Sequence, residues 1–145
     1  MTLMKHVLPL TLPLLIVACS SEPKPAESTG TPRVFFVEPA DGATVKSPVH
    51  LKFGAENFMI MAVPTGDVTS ARAGMGHHHV GVDTDCLPPG SEIPKASPWV
   101  HFGKGDAEMD MQLPPGQHKL TLEIGDDQHK TPPGLCSTIT VNVTE

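Results

Sequence analysis

The sequence predicts an all-β fold, and three observations carry that prediction. Apolar residues recur at every second position in short runs, the period of a half-buried strand. The 145 residues include 13 Gly and 16 Pro, which interrupt the chain too often for long helices. Turn sequences separate the runs: Pro39-Ala40-Asp41-Gly42, Pro64-Thr65-Gly66-Asp67, Pro88-Pro89-Gly90, Pro114-Pro115-Gly116 and Pro132-Pro133-Gly134.

Each element follows in order. Val34 and Phe36 share one face, with Phe35 and Val37 on the other. Val49, Leu51 and Phe53 alternate with His50 and Lys52, which places His50 on the surface. Phe58 to Val63 is a continuous apolar run, the pattern of a strand covered on both faces. Gly76 to Asp83 is the next strand. In the run from Ala107 to Leu113, the residues Ala107, Met109, Met111 and Leu113 face in. Leu120, Leu122 and Ile124 face in against Lys119, Thr121 and Glu123, and Ile139, Val141 and Val143 close the chain the same way. Met59 with Met61, and Met109 with Met111, read as core packing, a use that suits a flexible thioether. One sheet would expose half of these apolar faces, so two sheets must pack. The expected architecture is an immunoglobulin-like antiparallel β-sandwich of about seven strands over 33–145.

The segment before it reads as an address. Residues 1–18 carry Lys5 and an apolar run from Val7 to Val17, the layout of a signal peptide and too short to span a bilayer. Ile16-Val17-Ala18-Cys19 resembles a bacterial lipobox. The resemblance implies cleavage before Cys19, lipidation of Cys19, and a periplasm-facing anchor; Ser20 after it favours the outer membrane over the inner. Residues 19–32 are rich in Pro, Ser and Glu and read as a flexible tether. In an exported chain, Cys86 and Cys136 read as a disulfide rather than as thiols of a soft-metal site.

Composition excludes some functions. The formal charge is −6 with only 10 Lys+Arg, so the chain lacks the basic face that nucleic acid requires. Aromatics are 4% of residues, too few for a sugar- or base-stacking platform. No Ser sits in a nucleophile elbow, and no catalytic set emerges.

Histidine is the informative residue. His77 and His79 share one strand face, and His78 falls on the other with Val80 and Val82. Two imidazoles at this spacing can bind one metal ion if neighbouring elements supply more donors. Those candidates are His101, His129, Asp83 (as ligand or orienter) and Met75. Imidazole suits copper or zinc, and the Met75 thioether would favour copper. His78 and Lys104 are ligand-binding candidates, the latter from its setting in Gly103-Lys104-Gly105. His118, on the inward face of Leu120, reads as a buried structural histidine. The competing reading makes the histidines a hydrogen-bonded network in a structural module that holds an envelope protein. A histidine-ligated hydrolase is a third reading and needs an open coordination position.

The ordered set Gly76-His77-His78-His79, Val82-Asp83, His101-Phe102-Gly103-Lys104-Gly105, Leu113-Pro114-Pro115-Gly116, His118, Gly125-Asp126, His129 and Pro132-Pro133 resembles a bacterial domain of unknown function, number 4399. Its members are small exported proteins and lipoproteins, and the resemblance covers roughly 33–144. It implies functional roles for His77, His78, His79, Asp83, His101 and His129, and a structural role for His118. The chain departs from the family at Val80-Gly81, where members carry bulkier aliphatics. It departs again at Lys130-Thr131, where a second histidine is frequent. Cys86 and Cys136 belong to this branch.

Overall fold

A computed structural model describes residues 30–145. The leader, Cys19 and most of the tether lie outside the described residues. The described chain forms nine strands and no helix: β1 (Arg33–Glu38), β2 (Thr44–Lys46), β3 (Val49–Glu56), β4 (Met59–Ile60), β5 (Met75–Val82), β6 (Trp99–His101), β7 (Glu108–Met111), β8 (Gly116–Gly125) and β9 (Cys136–Thr144).

The strands build two sheets. The smaller has the order β1-β3-β7, and the larger has β2-β9-β8-β5-β4, with β6 also on β5. β4 and β6 share the free edge of β5. β4 pairs at Met75 and Gly76, and β6 pairs from His79 to Gly81. The alternation seen in sequence places the core. Val34, Val49, Leu51 and Phe53 of the smaller sheet meet Val80, Leu120, Leu122, Ile124, Val141 and Val143 of the larger. Each fully buried Leu or Val contributes about 1.5–3 kcal/mol relative to exposure. This all-β, two-sheet core is consistent with the expected sandwich.

Three local readings are corrected. β2 and β6 add short strands, and β2 runs parallel to β9, as β4 does to β5, where an antiparallel sandwich was expected. The run from Phe58 to Val63 yields only the two-residue β4, and Met59 and Met61 are exposed rather than core. β4 lies on a sheet edge with one face covered, so Ile60 packs inward and its neighbours face out. In contrast, Met111 is buried and Met109 packs against the core, as expected.

The third correction positions the site. Thr121 and Glu123 point away from the core but are 0% and 2% exposed. The segment after β5 folds back over this outer face. The Thr121 hydroxyl donates to the Thr84 carbonyl at 2.6 Å, and the Leu87 N–H donates to the Glu123 carboxylate at 3.1 Å. Farther along, Gly90 N–H donates to the Thr131 carbonyl and Ile93 N–H to the His129 carbonyl, both at 2.8 Å. The segment from Cys86 to Ile93 and the β8–β9 connection thus form one cover. The disulfide Cys86–Cys136 ties the start of that cover to β9, with a Cα–Cα separation of 6.1 Å.

Candidate metal centre

The outer face of β5 presents His77 and His79 beneath this cover. Across the β5–β8 ladder their neighbours are Gly125 and Glu123, and across β6 the partner of His79 is His101. β8 then turns, and His129 enters from the β8–β9 connection. His129 adopts φ 63°, which L side chains rarely take. Its N–H donates to the Asp126 carbonyl at 2.8 Å, which helps hold that turn. Beside it, Asp127 accepts from the Arg72 guanidinium at 2.7 and 2.8 Å and from the Arg72 backbone N–H at 3.0 Å. This two-pronged ion pair anchors the turn to the segment preceding β5.

Four histidines converge as a result. His77, His79, His101 and His129 each offer a ring nitrogen, and these nitrogens lie within 4.8 Å of one another. The His101 and His77 Nε2 atoms are 3.1 Å apart, and the His129 and His101 Nε2 atoms 2.9 Å. A tetrahedral zinc with bonds of about 2.05 Å would hold its nitrogens about 3.3 Å apart, close to these spacings. No carboxylate joins the set among the described residues.

Glycines make the convergence sterically feasible. A Cβ on Gly103 would sit 2.4 Å from His101 Cε1, and one on Gly125 would sit 2.6 Å from His79 Cε1. A Cβ on Gly76 would lie 2.4 Å from the Gly125 carbonyl oxygen, so the close approach of β5 and β8 also requires glycine.

Hydrogen bonding alone leaves the cluster incomplete. A neutral imidazole carries one N–H and one lone pair. His101 Nε2, with a single N–H or a single lone pair, can complete only one of its two contacts, to His77 or to His129, and both ring nitrogens of His79 and Nδ1 of His77 are buried without a hydrogen-bond partner. The His77 backbone lies close enough to favour protonation of His79 slightly, without normal hydrogen-bond geometry. A buried orphan polar group costs about 1–3 kcal/mol. A cation that accepts the lone pairs removes part of that cost.

Electrostatics prepares the same outcome. Burial, followed by the neighbouring imidazoles, pushes His77 down to about 3 and His79 to about 2. Burial also lowers His101 and His129, with the Lys95 ammonium acting in the same direction. The rings are therefore held neutral, the form that binds metal. His101 is the most exposed of the four and opens onto a surface cleft of about 470 Å³, which is also lined by Phe102, Gly103, Lys104 and Asp106.

The other sequence candidates fall elsewhere. Asp83, at φ 53° just beyond β5, does not join the cluster. Its carboxylate pairs with His118 Nδ1 at 2.9 Å and accepts the Lys119 N–H at 3.0 Å. The His118 Nε2–H donates to the Pro114 carbonyl at 2.9 Å, and the residue is 8% exposed, in keeping with a structural role. His78 points into the core. Its Nδ1–H donates to the Asp106 carbonyl at 3.1 Å, and its ring packs on Phe53 at 5.2 Å. Lys104 lies in the wall of the cleft beside His101. Met75 lies at the start of β5 on the face of His77, opposite Met59.

Sequence reasoning missed Arg72, Asp127 and Glu123. Asp127 stands two residues before His129, but Arg72 is distant in sequence, so no local pattern reveals the pair. Glu123 read as a solvated residue because the cover is a tertiary feature.

A family model described as a domain of unknown function (DUF4399) matches residues 51–144, which include all four converging histidines. No curated protein and no solved structure shows a significant match to the chain.

Proposed function

The chain belongs to the DUF4399 family, and we propose that it is a lipid-anchored envelope module that binds one copper or zinc ion through His77, His79, His101 and His129. The convergence of the four ring nitrogens carries this reading. The orphaned nitrogens of His79 support metal over a purely structural network, because direct hydrogen bonds do not satisfy that ring. Four protein ligands would fill a tetrahedral shell. That favours a binding module over a hydrolase, which keeps a position open for water. The lipobox-like Ile16-Val17-Ala18-Cys19 and the Cys86–Cys136 disulfide support export to an oxidising compartment.

Metal content tests the reading. Tag-free protein is stripped with chelator, exposed to copper, zinc or nickel, dialysed and weighed by native mass spectrometry. The expected result is about one copper or zinc per chain, lost in His77→Ala/His79→Ala. Wild-type protein that retains no metal, or a double variant with unchanged affinity, would return the histidines to a structural role.

A further inference from the structure

The sheet register brings a second set of donors beside the histidines. Met59 is the direct cross-strand neighbour of Met75, and the ladder continues where the Met61 N–H donates to the Gly76 carbonyl at 2.8 Å. Paired residues project from the same side of a sheet, and alternate residues of a strand share that side. Ile60 packs on the core, so Met59 and Met61 project from the opposite side. That side carries Met75, His77 and His79. Adjacent strands lie about 4.8 Å apart, a gap that flexible thioethers span easily.

Exposure makes this arrangement unusual. Met59 is 51% exposed and Met61 38%, and they stand among the few large hydrophobics left exposed in the described chain. Outward positions on a half-covered strand ordinarily carry polar residues. Here they carry soft sulfur. Met75 is half-buried and lies two residues from His77 on the same strand face, so the three thioethers lead from solvent toward the buried imidazoles.

We propose that Met59, Met61 and Met75 form an entry site for cuprous copper beside the four-histidine centre. The proposal rests on the metal-binding reading above and deepens it by selecting copper over zinc. Neutral thioethers are soft donors that hold Cu(I) and discriminate against Zn(II). Passage to the histidines is ligand exchange: each Cu–S bond breaks as a Cu–N bond forms. Copper stays Cu(I), no electron moves, and the neutral rings release no proton.

The test uses the full chain and anaerobic Cu(I) titration against a chromogenic chelator. Met59→Leu/Met61→Leu/Met75→Leu conserves side-chain volume, and Trp99 fluorescence checks that the fold is retained. The His77→Ala/His79→Ala variant loses the metal retained through dialysis, but in the equilibrium titration its thioether site should still bind Cu(I), more weakly than the histidine centre and with sulfur scattering in its X-ray absorption spectrum. Adding the three Met→Leu changes should weaken that binding at least tenfold and remove the sulfur signal. With the histidines intact, the Met→Leu variant should retain zinc normally and load Cu(I) at least tenfold more slowly. Unchanged Cu(I) affinity and loading in the Met→Leu variants would overturn the entry site. Failure of the histidine reading looks different: wild-type protein would retain no zinc or copper through dialysis, while Cu(I) bound by sulfur in the equilibrium titration would still support the thioether site.

Discussion

Acid should destabilise the metal-free protein well above the range in which carboxylates titrate. The cause is the pair His77 and His79, both 0% exposed and held near 3 and 2 respectively, chiefly by burial. In the unfolded chain each imidazole titrates near 6.5. Between pH 7.5 and 5.5 the unfolded state therefore gains nearly one proton at each ring, while the folded state gains none. Stability is full above the unfolded value and is lost as pH falls toward the folded values. Each ring contributes about 1.4 kcal/mol across those two pH units, so the pair contributes about 2.7 kcal/mol. That is a large share of the roughly 5–15 kcal/mol typical of a domain. His118 and His50 act in the opposite sense, because hydrogen bonds to Asp83 and Asp110 raise them. A His77→Leu/His79→Leu control retains those groups and removes the pair. Urea unfolding followed through Trp99, the single tryptophan and 5% exposed, reads both proteins in chelator at each pH. The wild type should lose about 2.7 kcal/mol more than the control. Parallel pH profiles would refute the claim that the cluster is held neutral by burial.

Other expectations follow from the same geometry. Gly103→Ala and Gly125→Ala place a Cβ against the His101 and His79 rings; each should weaken metal binding at least tenfold in chelator competition, about 1.4 kcal/mol. Asp127→Asn removes the buried negative charge and one of the two oxygens that accept from Arg72, and should cost about 1–3 kcal/mol at pH 7 by chemical denaturation. Arg72 holds Asp127 down to about 2, so this difference should persist to about pH 4 and shrink as pH falls further. Cys86→Ser/Cys136→Ser opens a loop of sequence separation 50 and should cost about 4 kcal/mol in the chain-entropy model. Hydrogen exchange in that variant should rise first at Leu87, Gly90 and Ile93, whose amides hold the cover in place.

Much of the fold was legible because a strand writes its two faces into alternate residues. Val49, Leu51 and Phe53 against His50 and Lys52 show this, as do Ile139, Val141 and Val143, and the structure buries the expected side in each case. The same period placed His77 and His79 on one face and turned His78 to the other. The even cysteine pair foretold its bond. Alternation distinguishes sides but does not say what covers them. Thr121 and Glu123 face away from the core as their pattern requires, yet a segment from elsewhere in the chain buries them. Met59 and Met61 err in the other direction, since an apolar run records no edge, and β4 has solvent on one side. The histidine centre depends on such long-range facts. His101 arrives through β6, and His129 through a turn anchored by Arg72. Asp83, near in sequence, leaves with His118. The sequence by itself determined strand periodicity, the paired imidazoles and the donor types. Only the tertiary structure decided which donors meet, because convergence requires packing between distant segments and room left by Gly103 and Gly125.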